Sequence, residues 1–308
     1  MLDKNTMVFP GAETRLQAQV RAAQNVHLRN LRDLIYKVAG ILHPDHKLQF
    51  LEDRCQRRMQ LLKLTSLQEY YDFLTLGSSR TEELKQLLNE ITIGETCFFR
   101  NAPQLDAFRK VVVPGALQNK SHLAFRHIKI WSAGCSTGEE AYTLAIILNE
   151  ERAGLLKGVN FEIIATDLND RSLEKAEAGV YGEYALRNVN SYLRQKYFKP
   201  VPDRTDLLKV NPELQSFVRF SRLNLLDDAR ITFMKGMDAT FCCNVMIYFD
   251  GPVRKRIVQH FYNNLLPNSY LFIGHAESLY GVNADFRLVH FPGATAYYKG
   301  ETRTGGAL

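Results

Sequence analysis

The sequence predicts an α/β protein: an all-helical N-terminal domain, then a Rossmann-like domain on a mostly parallel sheet, with a small antiparallel β-subdomain. Three observations predict it. The first hundred of the 308 residues carry helical apolar spacing without strand signals. From residue 128 onward, short apolar runs alternate with helical stretches, the mark of βαβ units. Between the first run and its helix lies AGCSTGEE (133–140), which suits the first strand-to-helix turn of a doubly wound sheet.

Residues 27–42 place Leu28, Leu31, Ile35, Val38 and Leu42 at helical spacing, and Pro44 cannot continue that helix. A second amphipathic helix over 47–64 has the stripe Leu48, Leu51, Cys55, Met59 and Leu62; a third covers 67–74. Ser79 and Glu82 form a capping box opening a fourth over 82–90. Asn101 and Pro103 start the next helix. Strands are expected at 128–133, 161–166, 239–243 and 270–273, with helices at 136–149 and 252–265. The runs 286–291 and 295–299 flank a Pro-Gly-Ala turn as an antiparallel hairpin, and the alternating stretch 207–223 reads as a β insertion. The expected division is 1–100 for the helical domain and linker and 101–308 for the second domain, with the β-subdomain at about 198–223.

Hydrophobic residues (45%) and charged residues (23%) stand at the proportions of a soluble globular chain. No apolar run approaches the ~18 residues of a membrane span, and the first residues lack the pattern of a secretory signal, so a cytoplasmic protein not embedded in membrane is expected. Five cysteines (Cys55, Cys97, Cys135, Cys242, Cys243) form no CxxC pair, which predicts reduced thiols and no metal site. His43 and His46 around a proline turn read as surface residues rather than ligands. The net charge of +6 admits an acidic partner: nucleic acid, a membrane surface or an acidic protein.

The 133–140 loop is neither GxGxxG nor a P-loop. Glu139 and Glu140 stand where a phosphate would meet the helix N-terminus, and they repel a pyrophosphate. That disfavours NAD and ATP. Gly134 lets the backbone come close to a ligand, and Asp167, ending the next strand, is placed to bind ribose hydroxyls unless it only caps a helix. S-adenosylmethionine has a ribose and a cationic sulfur but no phosphate, and is the cofactor this combination favours.

Four segments, ITIGETCFFR (91–100), WSAGCSTGEEAYTLA (131–145), CCNVMIYFD (242–250) and LFIGHAES (271–278), resemble the chemotaxis receptor methyltransferases. ATDLNDRSLEKAEAGVY (165–181) and FSRLNLLD (220–227) fit in order between them, so the resemblance runs from about residue 27 to 300. It implies an S-adenosylmethionine methyltransferase domain behind the helical domain, and transfer of methyl groups to glutamate side chains of chemoreceptors, leaving S-adenosylhomocysteine. It places cofactor contacts on Thr96, Arg100, Glu139, Asp167, Asn224, Leu225 and Asn244. Two departures stand out: Gly94 replaces a common Asn, so that side-chain contact should be missing, and Cys243 replaces a common Arg, where the backbone would contact the ligand. Arg100 is expected to bind the cofactor carboxylate and Glu139 its amino group, with Tyr248 orienting the attacking carboxylate or packing beside the methyl group. Lys47, Arg54, Arg57 and Arg58 on the second helix would face the acidic receptor helices, unless they are simply a solvated face. The implied protein is a cytoplasmic monomer acting on receptor cytoplasmic domains and not on nucleic acid. Its rivals are a nitrogen-directed methyltransferase and a silent S-adenosylmethionine-binding regulatory module.

Overall fold

A computed structural model describes residues 15–92 and 94–301. The chain divides into two compact units, one running to Val38 and over Leu42–Leu87, the other comprising Ala39–Ile41 and everything from Leu88. The 94–100 segment, expected as the linker after the helical domain, carries Phe98 into the core of the second unit.

In the first unit, α1 (Arg15–Ala39) precedes α2 (Leu48–Leu62), α3 (Leu67–Leu76) and α4 (Arg80–Ile91). Leu28, Leu31 and Ile35 of α1 and Leu51, Cys55 and Met59 of α2 are buried, as their spacing predicts, whereas Leu42 falls after α1 and is exposed; Tyr70 and Leu74 of α3 are buried too. Ser66 caps α3, its hydroxyl accepting from the Glu69 N–H.

The second unit opens with α5 (Ala102–Ala107), which passes through a π-helical turn at Phe108–Val112 into α6 (Val113–Asn119). Then come β1 (His127–Ala133), α7 (Glu139–Glu150), β2 (Asn160–Asp167), α8 (Asp170–Ala178), β3 (Val180–Gly182), β4 (Phe198–Val201), β5 (Arg204–Val210), β6 (Val218–Arg222), β7 (Met237–Cys242), β8 (Leu265–Ile273), β9 (Arg287–Phe291) and β10 (Ala294–Lys299). The large sheet has the order β6-β2-β1-β7-β8-β10-β9. Its first five strands are parallel, while β10 is antiparallel to both β8 and β9. Alternate residues of β1 enter opposite cores: Ile128 and Ile130 join α7, Trp131 and Ala133 the helix Gly251–Asn264. Both faces are covered, which is why the parallel strands read as continuous apolar runs.

The β-subdomain is displaced from its expected 198–223. It is β3-β5-β4, antiparallel, beginning at Val180 and ending at Val210. Residues 218–222 instead form the edge of the large sheet, parallel to β2. Val218 is buried while Arg219 and Ser221 are exposed, so an edge strand imitates the alternation of a half-exposed hairpin.

Candidate active site

Strand order reverses between β1 and β7, and the loops leaving the carboxyl ends of the five parallel strands enclose a cavity of about 600 Å³. Gly134, Cys135 and Ser136 follow β1, Asp167 ends β2, Asn224 and Leu225 follow β6, Cys243, Asn244 and Tyr248 follow β7, and His275 follows β8. Gly94, Thr96 and Arg100 line it as well. The structure thus brings together every expected cofactor residue but one.

The exception is Glu139. Its side chain is 4% exposed, accepts from the Thr137 hydroxyl at 2.7 Å and lines a smaller adjoining cavity of about 390 Å³ with Lys175 and Tyr181. Of the two adjacent glutamates it is Glu140 that lines the main cavity, held by the Ser132 hydroxyl at 2.6 Å. Residues one apart on a helix point about 100° apart, so only one of the two faces the cavity. Burial raises the pKa of Glu140, against the Ser132 hydrogen bond and the attraction of Arg100.

The loop after β1 is pinned to β2. Gly134 N–H and Cys135 N–H both donate to the Thr166 carbonyl, at 2.7 and 3.0 Å. Gly134 has φ +83°, and a Cβ there would sit 2.4 Å from Val245 Cγ2. Asp167 accepts from Ser136 N–H on one oxygen (2.8 Å) and from Asn169 N–H on the other (2.9 Å). Burial raises its pKa, opposed by those backbone donors. Ser136 Oγ is buried with no protein partner, and a Cβ on Gly94 would sit 2.4 Å from it. The Gly94 departure thus leaves room for that hydroxyl. Burial also pushes the Cys135 and Cys243 thiols up, so neither is a ready thiolate.

Arg100 reaches the cavity because the segment before it is anchored. Phe98 is fully buried, edge-on to Tyr181 and Phe198, and its N–H donates to the Ala185 carbonyl at 3.0 Å. Phe99 N–H donates to the Thr143 hydroxyl at 3.0 Å. Left-handed Phe99 and Asn101 (φ 51° and 62°) then swing Arg100 outward, where it donates to the Glu95 carbonyl at 3.0 Å. Opposite, Asn244 (φ 62°) opens the turn that carries Tyr248, whose pKa is raised first by burial and then by Asp167 and Glu277.

Sequence reasoning missed Gln104 and Glu277. Buried Gln104 donates to the Ile273 carbonyl at 2.7 Å and lines the cavity floor. Its signal was a polar residue within the apolar face of its helix. Glu277 binds backbone N–H groups and was visible only as part of the LFIGHAES motif.

On α2, Lys47 beside the helix start and Arg57 are exposed, and Arg54 lies over the Phe50 ring at 4.6 Å. Arg58 is not part of that face. It is 8% exposed and makes two hydrogen bonds to Glu83 (2.9 and 2.7 Å), which also accepts from the Tyr70 hydroxyl at 2.7 Å. Its helical angle lies only about 20° from that of Leu51, on the buried side. His43 is buried too, with its pKa lowered first by burial and then by Lys47. Among the described residues no group of three or more His, Cys, Asp or Glu is arranged to hold a metal, and no helix is long and apolar enough to cross a membrane.

An acid ending β2, a buried hydroxyl with no protein partner, and a carboxylate and a guanidinium lining the same cavity fit a nucleoside amino acid. With the cavity at the switch point of this sheet, they define an S-adenosylmethionine-binding methyltransferase. Residues 94–294 match the CheR methyltransferase, SAM binding domain, and residues 27–92 match the CheR methyltransferase, all-alpha domain. The chain belongs to the CheR methyltransferase family. It is 33% identical over 268 residues to Chemotaxis protein methyltransferase 2 of Vibrio cholerae (87% of this chain, 91% of the relative). It is 34% identical to the Chemotaxis protein methyltransferase of Klebsiella aerogenes (90% and 92%) and 32% identical to that of Escherichia coli (92% and 96%). Its cofactor is S-adenosylmethionine.

Proposed function

We propose that this enzyme methylates glutamate side chains on the cytoplasmic domains of chemoreceptors, forming methyl esters for chemotactic adaptation. The carrying observation is that Arg100 and Tyr248 line the same cofactor cavity. Burial raises the Tyr248 pKa, so its phenol stays a hydrogen-bond donor. A guanidinium and a neutral phenol both hold a carboxylate, and neither takes a proton from it. Glutamate, with an ordinary pKa of ~4.3, is already ionised at neutral pH and needs no base. An amine acceptor would need one.

Bound S-adenosylmethionine supplies the methyl group on its sulfonium. Asp167 holds the ribose hydroxyls, Glu140 the amino group, and Arg100 the carboxylate. Gly134, Cys243, Asn224 and Leu225 frame the pocket with backbone, beside Gly94, Thr96 and Asn244. Tyr248 orients the acceptor, and fixing both reactants in one geometry contributes up to ~7–11 kcal/mol. Lys47, Arg54 and Arg57 face the acidic receptor. The enzyme works in the cytoplasm as a monomer and does not act on nucleic acid.

Transfer from radiolabelled S-adenosylmethionine to chemoreceptor membranes tests this. Base-labile label released as methanol is expected; alkali-stable label would instead point to nitrogen or another acceptor. Cofactor binding without transfer to the organism's own receptors would favour the silent regulatory module.

A further inference from the structure

Glu277 touches no part of the cofactor chemistry described above, yet three backbone donors converge on its carboxylate. Oε2 accepts from Asn244 N–H at 2.9 Å and from Gly274 N–H at 2.5 Å, and Oε1 accepts from Ile247 N–H at 3.2 Å. Gly274 follows β8, whereas Asn244 and Ile247 lie in the turn after β7. One side chain therefore ties the ends of two neighbouring strands and both limbs of the turn carrying Asn244 and Tyr248.

The turn needs such a tie. Asn244 is held at φ 62°, a left-handed conformation that a non-glycine residue adopts at a cost. Ile247 is exposed and offers little packing to hold the turn in place. The clasp is also sterically closed. A Cβ on Gly274 would stand 2.6 Å from Glu277 Oε2, 2.8 Å from the Asn244 nitrogen and 3.1 Å from Asn244 Nδ2. Only glycine lets the carboxylate reach all three donors. A carboxylate accepting two or three backbone N–H groups is a strong, directional anchor, and an amide cannot replace it, because its NH2 would confront one of the donors.

We propose that Glu277 is a positioning residue for methyl transfer: it sets the Asn244–Tyr248 turn and acts on the acceptor through Tyr248. The step it serves rests on the proposed function, so the test has one arm that needs the receptor and one that does not.

The full-length chain carrying Glu277→Gln is compared with wild type. Expected are S-adenosylhomocysteine binding at unchanged stoichiometry, weakened only as far as Asn244 is displaced, and kcat per binding-competent site lower by about tenfold or more, since sub-ångström misplacement of a reacting group is that costly. A role in folding alone would lower the binding-competent fraction and leave kcat per site intact. That outcome overturns the proposal. Adding Tyr248→Phe to Glu277→Gln should cost less than about twofold more, because the two act as one unit. Fully multiplying losses would overturn it as well. Should Glu277→Gln not fold, Gly274→Ala disturbs the same clasp and is read identically.

The receptor-independent arm is amide hydrogen exchange on the cofactor-bound protein. The amides of Asn244, Ile247 and Gly274 should lose protection in Glu277→Gln while β7 and β8 keep theirs. Unchanged protection overturns the clasp. Wild-type inactivity toward receptors would overturn the functional reading alone.

Discussion

Replacing Glu140 by Gln keeps the shape of the side chain and removes its charge. The carboxylate already accepts from Ser132 at 2.6 Å and lines the cavity, so a second hydrogen bond to the cofactor's ammonium would be charge-assisted and largely out of water. Such a bond contributes about 1.5–3 kcal/mol, equivalent to roughly 10- to 150-fold in affinity. Glu139→Gln, whose side chain lines the neighbouring cavity, should change affinity by less than about threefold. Titration calorimetry with S-adenosylhomocysteine separates the two. The pH dependence adds a signed check. Burial raises the Glu140 pKa above its ordinary 4.5, so its contribution to stability is greatest below the ordinary value and is lost as pH rises through the folded value. Ligand binding runs the other way, because the ammonium needs the ionised form. Affinity should therefore decline as pH falls through the raised pKa, at a higher pH than an unperturbed glutamate would give. Glu140→Gln should flatten that decline in part, leaving the slope of the same sign contributed by Asp167. If Glu139→Gln is the damaging change, or if the pH slope is untouched in Glu140→Gln, the assignment is refuted.

Other consequences are equally direct. Ser136→Ala should leave the thermal midpoint unchanged or raised, since Oγ has no protein partner, and should weaken S-adenosylhomocysteine by about 0.5–1.5 kcal/mol in calorimetry. Arg58→Ala strands a buried Glu83 and should cost about 3–5 kcal/mol in denaturant unfolding, whereas exposed Arg57→Ala should stay within about 0.5 kcal/mol. Arg57→Ala and Lys47→Ala should instead raise KM for receptor membranes without changing kcat, with an effect that shrinks as salt rises. Cys135 and Cys243 should alkylate slowly at pH 8 and more slowly still with S-adenosylhomocysteine bound, read by mass spectrometry.

Local chemistry was legible wherever a residue's role depended on its immediate neighbours. The strand-turn-helix around Gly134, the acid ending β2 and the helical spacing of Leu51, Cys55 and Met59 are properties of a few consecutive residues, and the structure keeps them. What the sequence did not show depended on how the chain packs and on partners far along it. Arg58 looked like the border of a basic face because Glu83, 25 residues on, is invisible to a helical wheel. Glu139 and Glu140 are adjacent and chemically alike, and only the roll of α7 against the sheet decides between them. The 218–222 segment has the alternation of a hairpin, and its pairing with β2 comes from some 50 residues earlier. Glu277 acts through backbone donors, which leave no mark in side-chain identity.

The placing of β10 has a consequence for how the chain is made. This strand lies between β8 and β9, and Lys299 at its end donates to the Tyr262 and Leu265 carbonyls. During synthesis, β8 therefore waits with an open edge while β9 emerges, and the sheet closes only when residues 294–299 leave the ribosome. An unpaired strand edge is an aggregation hazard for as long as it lasts. Chains truncated at residue 293 should accordingly be recovered with chaperones or in inclusion bodies, even though every cavity-lining residue has already been translated.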